Sequence, residues 1–191
     1  MRVISGTAKG AKLNSIESMA TRPTLDRVKE SLFNIIQNRL EDAIILDLFA
    51  GSGAIGIECL SRNAKEAYFC DNSYKATQMI NQNLKKTKLD MKATVINGDY
   101  KKCLNQLGSK QIKFDLIYID PPYKENIGVK ATKEILLQDI LHENGIIIIE
   151  TDEKEREIKM EYIWTEKVCC MFDVDGHSYK GRYHIYICRG K

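Results

Sequence analysis

The sequence predicts an α/β fold: a doubly wound, mostly parallel sheet of seven strands that ends in an antiparallel hairpin, preceded by a short basic arm. Three observations carry this expectation. From Ala43 onward, short apolar runs alternate with segments whose apolar residues recur at helical spacing, the order that lays helices over a parallel sheet. Runs such as Ile44-Ile45-Leu46 and Ile146-Ile147-Ile148-Ile149 are apolar at every position, as strands covered on both faces must be. Near the end, the strand-like runs Trp164–Asp173 and Arg182–Cys188 flank a segment that opens Val174-Asp175-Gly176, and Asp-Gly between such runs signals a hairpin.

The elements follow in order. Residues 1–21 lack apolar periodicity and contain Gly6 and Gly10, so they read as an arm or small hairpin. Residues 22–191 read as the core of one domain, a size that allows a single substantial interior. A first helix carries Val28, Leu32, Ile35 and Ile36 at helical spacing, with Thr24 as its N-cap. Strands are expected over Ala43–Phe49, Ala67–Cys70, Ala93–Ile96, Phe114–Ile119 and Ile146–Ile149. Helices are expected over Ala54–Ser61, Tyr74–Lys86, Tyr100–Leu107 and Lys130–Ile140.

Charge is informative by place rather than by total. A net charge of +3 is too small to indicate a nucleic-acid partner. Yet Met1–Ile16 carries Arg2, Lys9 and Lys12 with no acid, and Gly176–Lys191 carries Lys180, Arg182, Arg189 and Lys191 with no acid. Basic ends on a near-neutral body form a candidate phosphate-attracting patch; the plainer reading is two solvated segments. The six cysteines form no C-x-x-C pair and no zinc spacing. Reduced thiols, no metal and a cytoplasmic location are expected. No apolar run approaches the ~20 residues that span a bilayer, and Met1–Gly6 opens no leader-like stretch.

Gly51, Gly53 and Gly56 fit G-x-G-x-x-G, and Asp71 follows twenty positions after the first glycine, which alone would suggest a dinucleotide. Asp47 argues otherwise. It sits near the end of the expected strand, four positions before Gly51, where a bound pyrophosphate would meet a carboxylate in a low-dielectric cleft. S-adenosylmethionine has a cationic sulfonium and ammonium and no phosphate, so Asp47 favours it. Asp71 can accept from ribose hydroxyls, Asp99 can accept from the adenine amine, and Tyr100 can cover the ring. The plainer reading of Asp71 and Asp99 is a helix N-cap; for Asp47 it is a buried, backbone-bonded acid.

Asp120-Pro121-Pro122-Tyr123 closes the apolar run Phe114–Ile119, at the sheet edge where ligands bind. Two prolines fix the backbone and aim the Asp120 carboxylate and the Pro121 carbonyl. Those acceptors suit an exocyclic amine on a base, a poor nucleophile whose N–H groups they can hold while its lone pair meets a methyl donor. Tyr123 can stack on the base. A tight turn with Asp120 as a cap is the plainer alternative.

In these motifs the chain resembles the RsmD-type 16S rRNA guanine-N2 methyltransferases. The resemblance spans nearly the whole chain. It includes Arg2-Val3-Ile4-Ser5-Gly6 with Gly10 and Leu13, Arg22-Pro23-Thr24, and Asp26-Arg27-Val28-Lys29-Glu30-Ser31-Leu32-Phe33-Asn34. It implies a Rossmann-like, S-adenosylmethionine-dependent enzyme that acts on 16S rRNA within an assembling small subunit. The candidate cofactor residues are then Asp47, Phe49, Gly51, Ser52, Gly53, Asp71, Asn72, Asp99 and Tyr100. The target corner is Asp120, Pro121, Pro122 and Tyr123, and the RNA contacts are Arg2, Lys9, Lys12 and Arg22. Two positions depart from the family pattern: Asp71 stands where many relatives carry Glu, and Ser73 where relatives often place an acid, so no role is carried to Ser73. An adenine-N6 methyltransferase shares the corner chemistry, and a non-catalytic RNA-binding module could keep the fold. A protein-glutamine methyltransferase favours Asn in place of Asp120.

Overall fold

A computed structural model describes residues 1–15, 23–121, 127–151, 164–168 and 184–189. The helices are α1 (Pro23–Ile36), α2 (Ala54–Ser61), α3 (Tyr74–Thr87), α4 (Tyr100–Ser109) and α5 (Ile127–Leu137). The strands are β1 (Ile44–Asp47), β2 (Glu66–Asp71), β3 (Ala93–Asn97), β4 (Phe114–Ile119), β5 (Leu141–Thr151), β6 (Trp164–Val168) and β7 (His184–Arg189).

Five parallel strands in the order β3-β2-β1-β4-β5 make the body of a Rossmann-like α/β sheet. Beyond it, β7 pairs antiparallel with β5 and with β6. The chain winds outward from β1 to β3, then crosses to β4. That reversal leaves a crevice between the carboxyl ends of β1 and β4, the place where ligands enter such sheets.

Each face of the sheet is sealed by its own core. One holds Leu32, Phe33 and Ile36 of α1, Ile57 and Leu60 of α2, and Ile80 and Leu84 of α3. The other holds Leu104 and Leu107 of α4 with Ala131 and Ile135 of α5. The β-strands between them are therefore apolar on both sides, as the sequence pattern required. Helix α2 is buried along nearly its whole length, which is why its sequence has no polar stripe.

Boundaries differ from expectation where a local feature overrides periodicity. Helix α1 opens at Pro23 rather than after a Thr24 cap, since proline's fixed φ suits a first helical turn. Strand β1 stops at Asp47, short of Phe49, as the chain turns into the glycine loop. Helix α5 runs Ile127–Leu137, earlier than the expected Lys130–Ile140. Asp139 takes a φ of +49°, which ends the helix and swings buried Ile140 into the sheet-side core. Strand β5 runs Leu141–Thr151, longer at both ends than Ile146–Ile149.

The arm is a hairpin folded onto the body. Arg2 and Lys12 form an antiparallel bridge, and Val3 N–H donates to Ala11 C=O at 3.0 Å. Val3 and Leu13 are buried against the α1–α3 core. A side chain at Gly6, where φ is +81°, would place its Cβ 1.7 Å from the Ser61 carbonyl oxygen. The expected Asp175-Gly176 turn, and Lys180, Arg182 and Lys191 of the basic tail, lie outside the described residues. Among the described residues, no helix is long and apolar enough to cross a membrane.

Candidate active site

The glycine loop is shaped from below by two aspartates. Gly51 and Gly53 take φ values of +54° and +77°, a region where side chains are strained. Asp71, last in β2, accepts from Gly51 N–H through Oδ2 and from Ser73 N–H through Oδ1, each at 2.8 Å. Its carboxylate is half-buried, and each oxygen keeps outward acceptor capacity. The space a Cβ of Gly51 would enter is empty, so the backbone there is open to a ligand. At Gly56 the constraint is crowding: a Cβ would sit 2.3 Å from the Phe69 ring.

Asp47, last in β1, lies beneath this loop. It is 2% exposed, and Gly56 N–H donates to its Oδ2 at 3.1 Å. Burial pushes its carboxyl up, against the Gly56 amide; the Asp71 charge adds to the rise and Lys29 opposes it, leaving a pKa of about 7. The backbone-bonded reading of this residue is therefore realised, and its charge is poorly compensated.

Asp99 caps α4, accepting from Lys101 and Lys102 N–H through Oδ1 at 3.0 and 3.2 Å. Its side chain is exposed, and Oδ2 is not used by the cap. Beside it, Tyr100 meets Phe49 with ring centroids 5.7 Å apart. Both rings are half-buried, so they form a partly exposed aromatic wall where the β1 loop meets the β3–α4 turn. Ser73 caps α3 by accepting from Ala76 N–H at 3.3 Å, and Asn72 is exposed.

Asp120 sits across the crevice. Its side chain reaches solvent, and Pro121, next in the chain, is buried. Burial pushes its carboxyl well up, and the charges of Glu150 and then Asp47 push it further. Tyr118, two residues earlier, donates its hydroxyl to Glu150 Oε2. Glu150 is 7% exposed and Tyr118 is 4% exposed. Burial raises the Glu150 carboxyl, and the Tyr118 bond only partly offsets it.

A second set of buried polar groups ties the arm down. Ile4 and Ser5 N–H donate to Glu58 at 2.8 and 2.9 Å, and Lys29 and Arg62 pair with it at 2.9 and 2.8 Å. Asn83 accepts from Asn14 N–H at 2.7 Å and donates to the Ser52 carbonyl at 2.9 Å. The end of the arm is thus bonded to the residue that carries the glycine loop.

The structure brings Asp47, Phe49, Gly51, Ser52, Gly53, Asp71, Asn72, Asp99, Tyr100, Asp120 and Pro121 to one edge of the sheet. Arg2, Lys9 and Lys12 are exposed on the arm, where Arg2 and Lys9 line a groove with Glu30 of α1. Arg22, Pro122 and Tyr123 lie outside the described residues. Sequence reasoning missed Glu150, Tyr118, Asn83, Glu58 and Lys29. Glu150 had a usable signal: it follows Ile146–Ile149 just as Asp120 follows Phe114–Ile119.

Parallel strands with the β1–β4 reversal, a glycine loop after β1 and acids ending β1, β2 and following β4 are the frame of the Rossmann-like methyltransferases. The chain belongs to the family described as Conserved hypothetical protein 95, whose model matches residues 1–168, in agreement with the resemblance read from the sequence. The candidate rRNA methyltransferase YlbH of Bacillus subtilis (strain 168) is 41% identical over 161 residues, covering 84% of this chain and 85% of that one. Ribosomal RNA small subunit methyltransferase D of Haemophilus influenzae is 36% identical over 166 residues, covering 86% and 85%. The solved structure of the candidate methyltransferase yhhF from Escherichia coli is 27% identical with a TM-score of 0.81, covering 100% of this chain and 99% of that one.

Proposed function

We propose that this chain is an S-adenosylmethionine-dependent rRNA methyltransferase whose acceptor is the exocyclic N2 of a guanine in 16S rRNA, presented within an assembling small subunit. The observation that carries the reading is the pairing of Asp47 with Tyr118 across β1 and β4. It sets a buried, undercompensated carboxylate on one side of the crevice and Asp120, two residues past Tyr118, on the other. A cationic donor and an amine-bearing acceptor are the ligands that such a pair of acids favours. The name shared by the Haemophilus influenzae relative and the Escherichia coli (strain K12) relative at 33% identity supports the RNA substrate.

The residues fit this cofactor. When bound, it supplies an electrophilic methyl group on a sulfonium. Asp71 offers its outward lone pairs to ribose hydroxyls while its inner ones hold the loop. Phe49 and Tyr100 offer their exposed ring surfaces to the adenine, with Asn72 and Asp99 beside them. Gly51, Ser52 and Gly53 let backbone approach closely. Asp47 acts through its field from beneath, since its contact in the structure is to Gly56. Asp120 and the Pro121 carbonyl accept the N–H groups of the target amine; Pro122 stiffens the corner and Tyr123 stacks on the extruded base. Arg2, Lys9, Lys12 and Arg22 contact phosphates. The same reading takes residues 1–191 as one domain in the cytoplasm, with a seven-stranded sheet closed by a β6–β7 hairpin.

The test is to incubate the protein with methyl-labelled cofactor and small subunits from cells lacking the activity, then to identify the labelled nucleoside by mass spectrometry. N2-methylguanosine is expected. Label in N6-methyladenosine would move the acceptor assignment, and no label in RNA would overturn the reading.

A further inference from the structure

The target corner contains a second acid. Leu116, Ile117, Tyr118 and Ile119 of β4 pair with Ile146, Ile147, Ile148 and Ile149 of β5, so Asp120, just past the end of β4, follows level with Glu150 of β5. Residues two apart share a face of a sheet. Tyr118 and Glu150 therefore share one face, as their hydrogen bond shows, Asp120 follows Tyr118 by two residues at the end of that strand, and Asp47 is level with Tyr118 on β1. The hydroxyl of Tyr118 is donated to Glu150, which favours the charged form of that carboxyl. Among the described residues, the ion pairs engage Glu58 and Asp139, and none engages Glu150. On β7, Ile185 stands opposite Glu150, with His184 and Tyr186 at the adjacent registers. On α1, Lys29 acts on Asp47.

We propose that Glu150 is a positioning residue for methyl transfer: held by Tyr118, its carboxylate stands behind Asp120 and makes Asp120 the acceptor of the proton that leaves the methylated amine. The inference rests on the proposed function. The lone pair of the target nitrogen forms the new N–C bond as the C–S bond breaks, and the electrons of that bond stay on sulfur. The nitrogen is then cationic, and its proton passes to the Asp120 carboxylate, which becomes a neutral acid and later returns the proton to water. A closed cleft offers little water for that proton. A neighbouring negative charge raises the basicity of the acceptor and stabilises the positive charge on nitrogen. It is consistent with this that the Asp120 carboxyl lies well above its ordinary range, with the Glu150 charge second to burial among the causes.

The test is a titration of the Asp120 carboxyl carbon by NMR in the cofactor-free protein, with Asp120→Asn assigning the signal. Two interacting acids titrate in two shared steps. Wild type should show a biphasic curve, and Glu150→Gln a single step at least about one pH unit below the upper wild-type step. Tyr118→Phe should move Asp120 in the same direction by less, because Glu150 loses a hydrogen bond that favours its charged form. The acidic limb of kcat/KM on subunits should shift with the NMR midpoint in Glu150→Gln, while thermal unfolding confirms that both variants fold. An Asp120 midpoint that stays in place in both variants, or a lower kcat with an unmoved limb, would overturn the inference. Failure of wild type to methylate any RNA would instead overturn the functional reading on which it rests.

Discussion

Two sets of carboxylates in this protein are treated in opposite ways. Glu58, fully buried on α2, receives two backbone amides, Lys29 and Arg62. Burial alone would raise its carboxyl, but Lys29, the Ile4 amide and Arg62 together outweigh burial and leave it below its ordinary value. At the crevice Asp47 and Glu150 are buried without an ion-pair partner among the described residues, Asp120 keeps an exposed face, and all three are raised. Burial therefore does not mark the site. The shortage of positive partners does, because a fold keeps such a shortage only where something else supplies the charge.

The largest effect should come from breaking the satisfied set. Glu58→Ala leaves buried Lys29 and half-buried Arg62 without their anion and frees the amides of Ile4 and Ser5. A loss of about 3–5 kcal/mol is expected in urea unfolding, the usual cost of removing one partner of a buried pair. Cofactor affinity of the protein that remains folded at low temperature should hold. A loss under about 1 kcal/mol would remove Glu58 from its structural role.

Breaking the unsatisfied set should spare stability and cost chemistry. Asp120→Ala is expected to lower methyl transfer by about 100-fold or more, as for removal of a positioned electrostatic group. The variant should unfold no earlier than wild type, because a repulsive charge is gone from beside Glu150 and Asp47. Near-normal turnover, measured with labelled cofactor on subunits, would contradict the role given to Asp120.

The contrast explains what could be read from the residues alone. Asp120 was legible because an apolar strand, an acid and two prolines stand in sequence, and each imposes a direction on the next. Glu150 ends an equally apolar run but lacks the prolines, and its partner Tyr118 sits on another strand. Glu58 was not legible: its donors Ile4 and Ser5 lie more than fifty residues earlier, and a lone Glu in a short helix reads as a solvent-facing residue. Asp99 gave both readings at once, and the structure shows the cap on Oδ1 without closing Oδ2. The order of strands and helices was plain from alternating periodicity. The end of α5 was not, because Ile140 continues the apolar spacing although the left-handed Asp139 has already ended the helix.

Asp47 allows a finer test through pH. Its folded pKa of about 7 exceeds the ordinary 3.8. Between those values the unfolded chain has lost a proton that the native state still holds. The stability contributed by the neutral acid is full below the ordinary value and is lost as pH rises through about 7. Asp47→Asn keeps an acceptor for Gly56 N–H but cannot ionise. It should gain at least about 1 kcal/mol over wild type at pH 8, shrinking toward pH 4, and should bind the cationic cofactor more weakly. Glu58 has the opposite sign: its contribution is present above the ordinary carboxylate value and is lost as pH falls through its lowered one. An equal gain for Asp47→Asn at both pH values would show that ionisation of Asp47 is not what destabilises the free protein.

The smallest effect concerns the arm that the satisfied set holds in place. Because Glu58 fixes Ile4 and Ser5, and Asn83 fixes Asn14, Lys9 and Lys12 project from a surface already formed before RNA arrives. Replacing both with Gln should therefore leave folding and cofactor binding unchanged. It should reduce the slope of log affinity against log salt by about 1–2, the share of two phosphate contacts. An unchanged slope, measured on subunits or on a short 16S fragment, would place the RNA elsewhere.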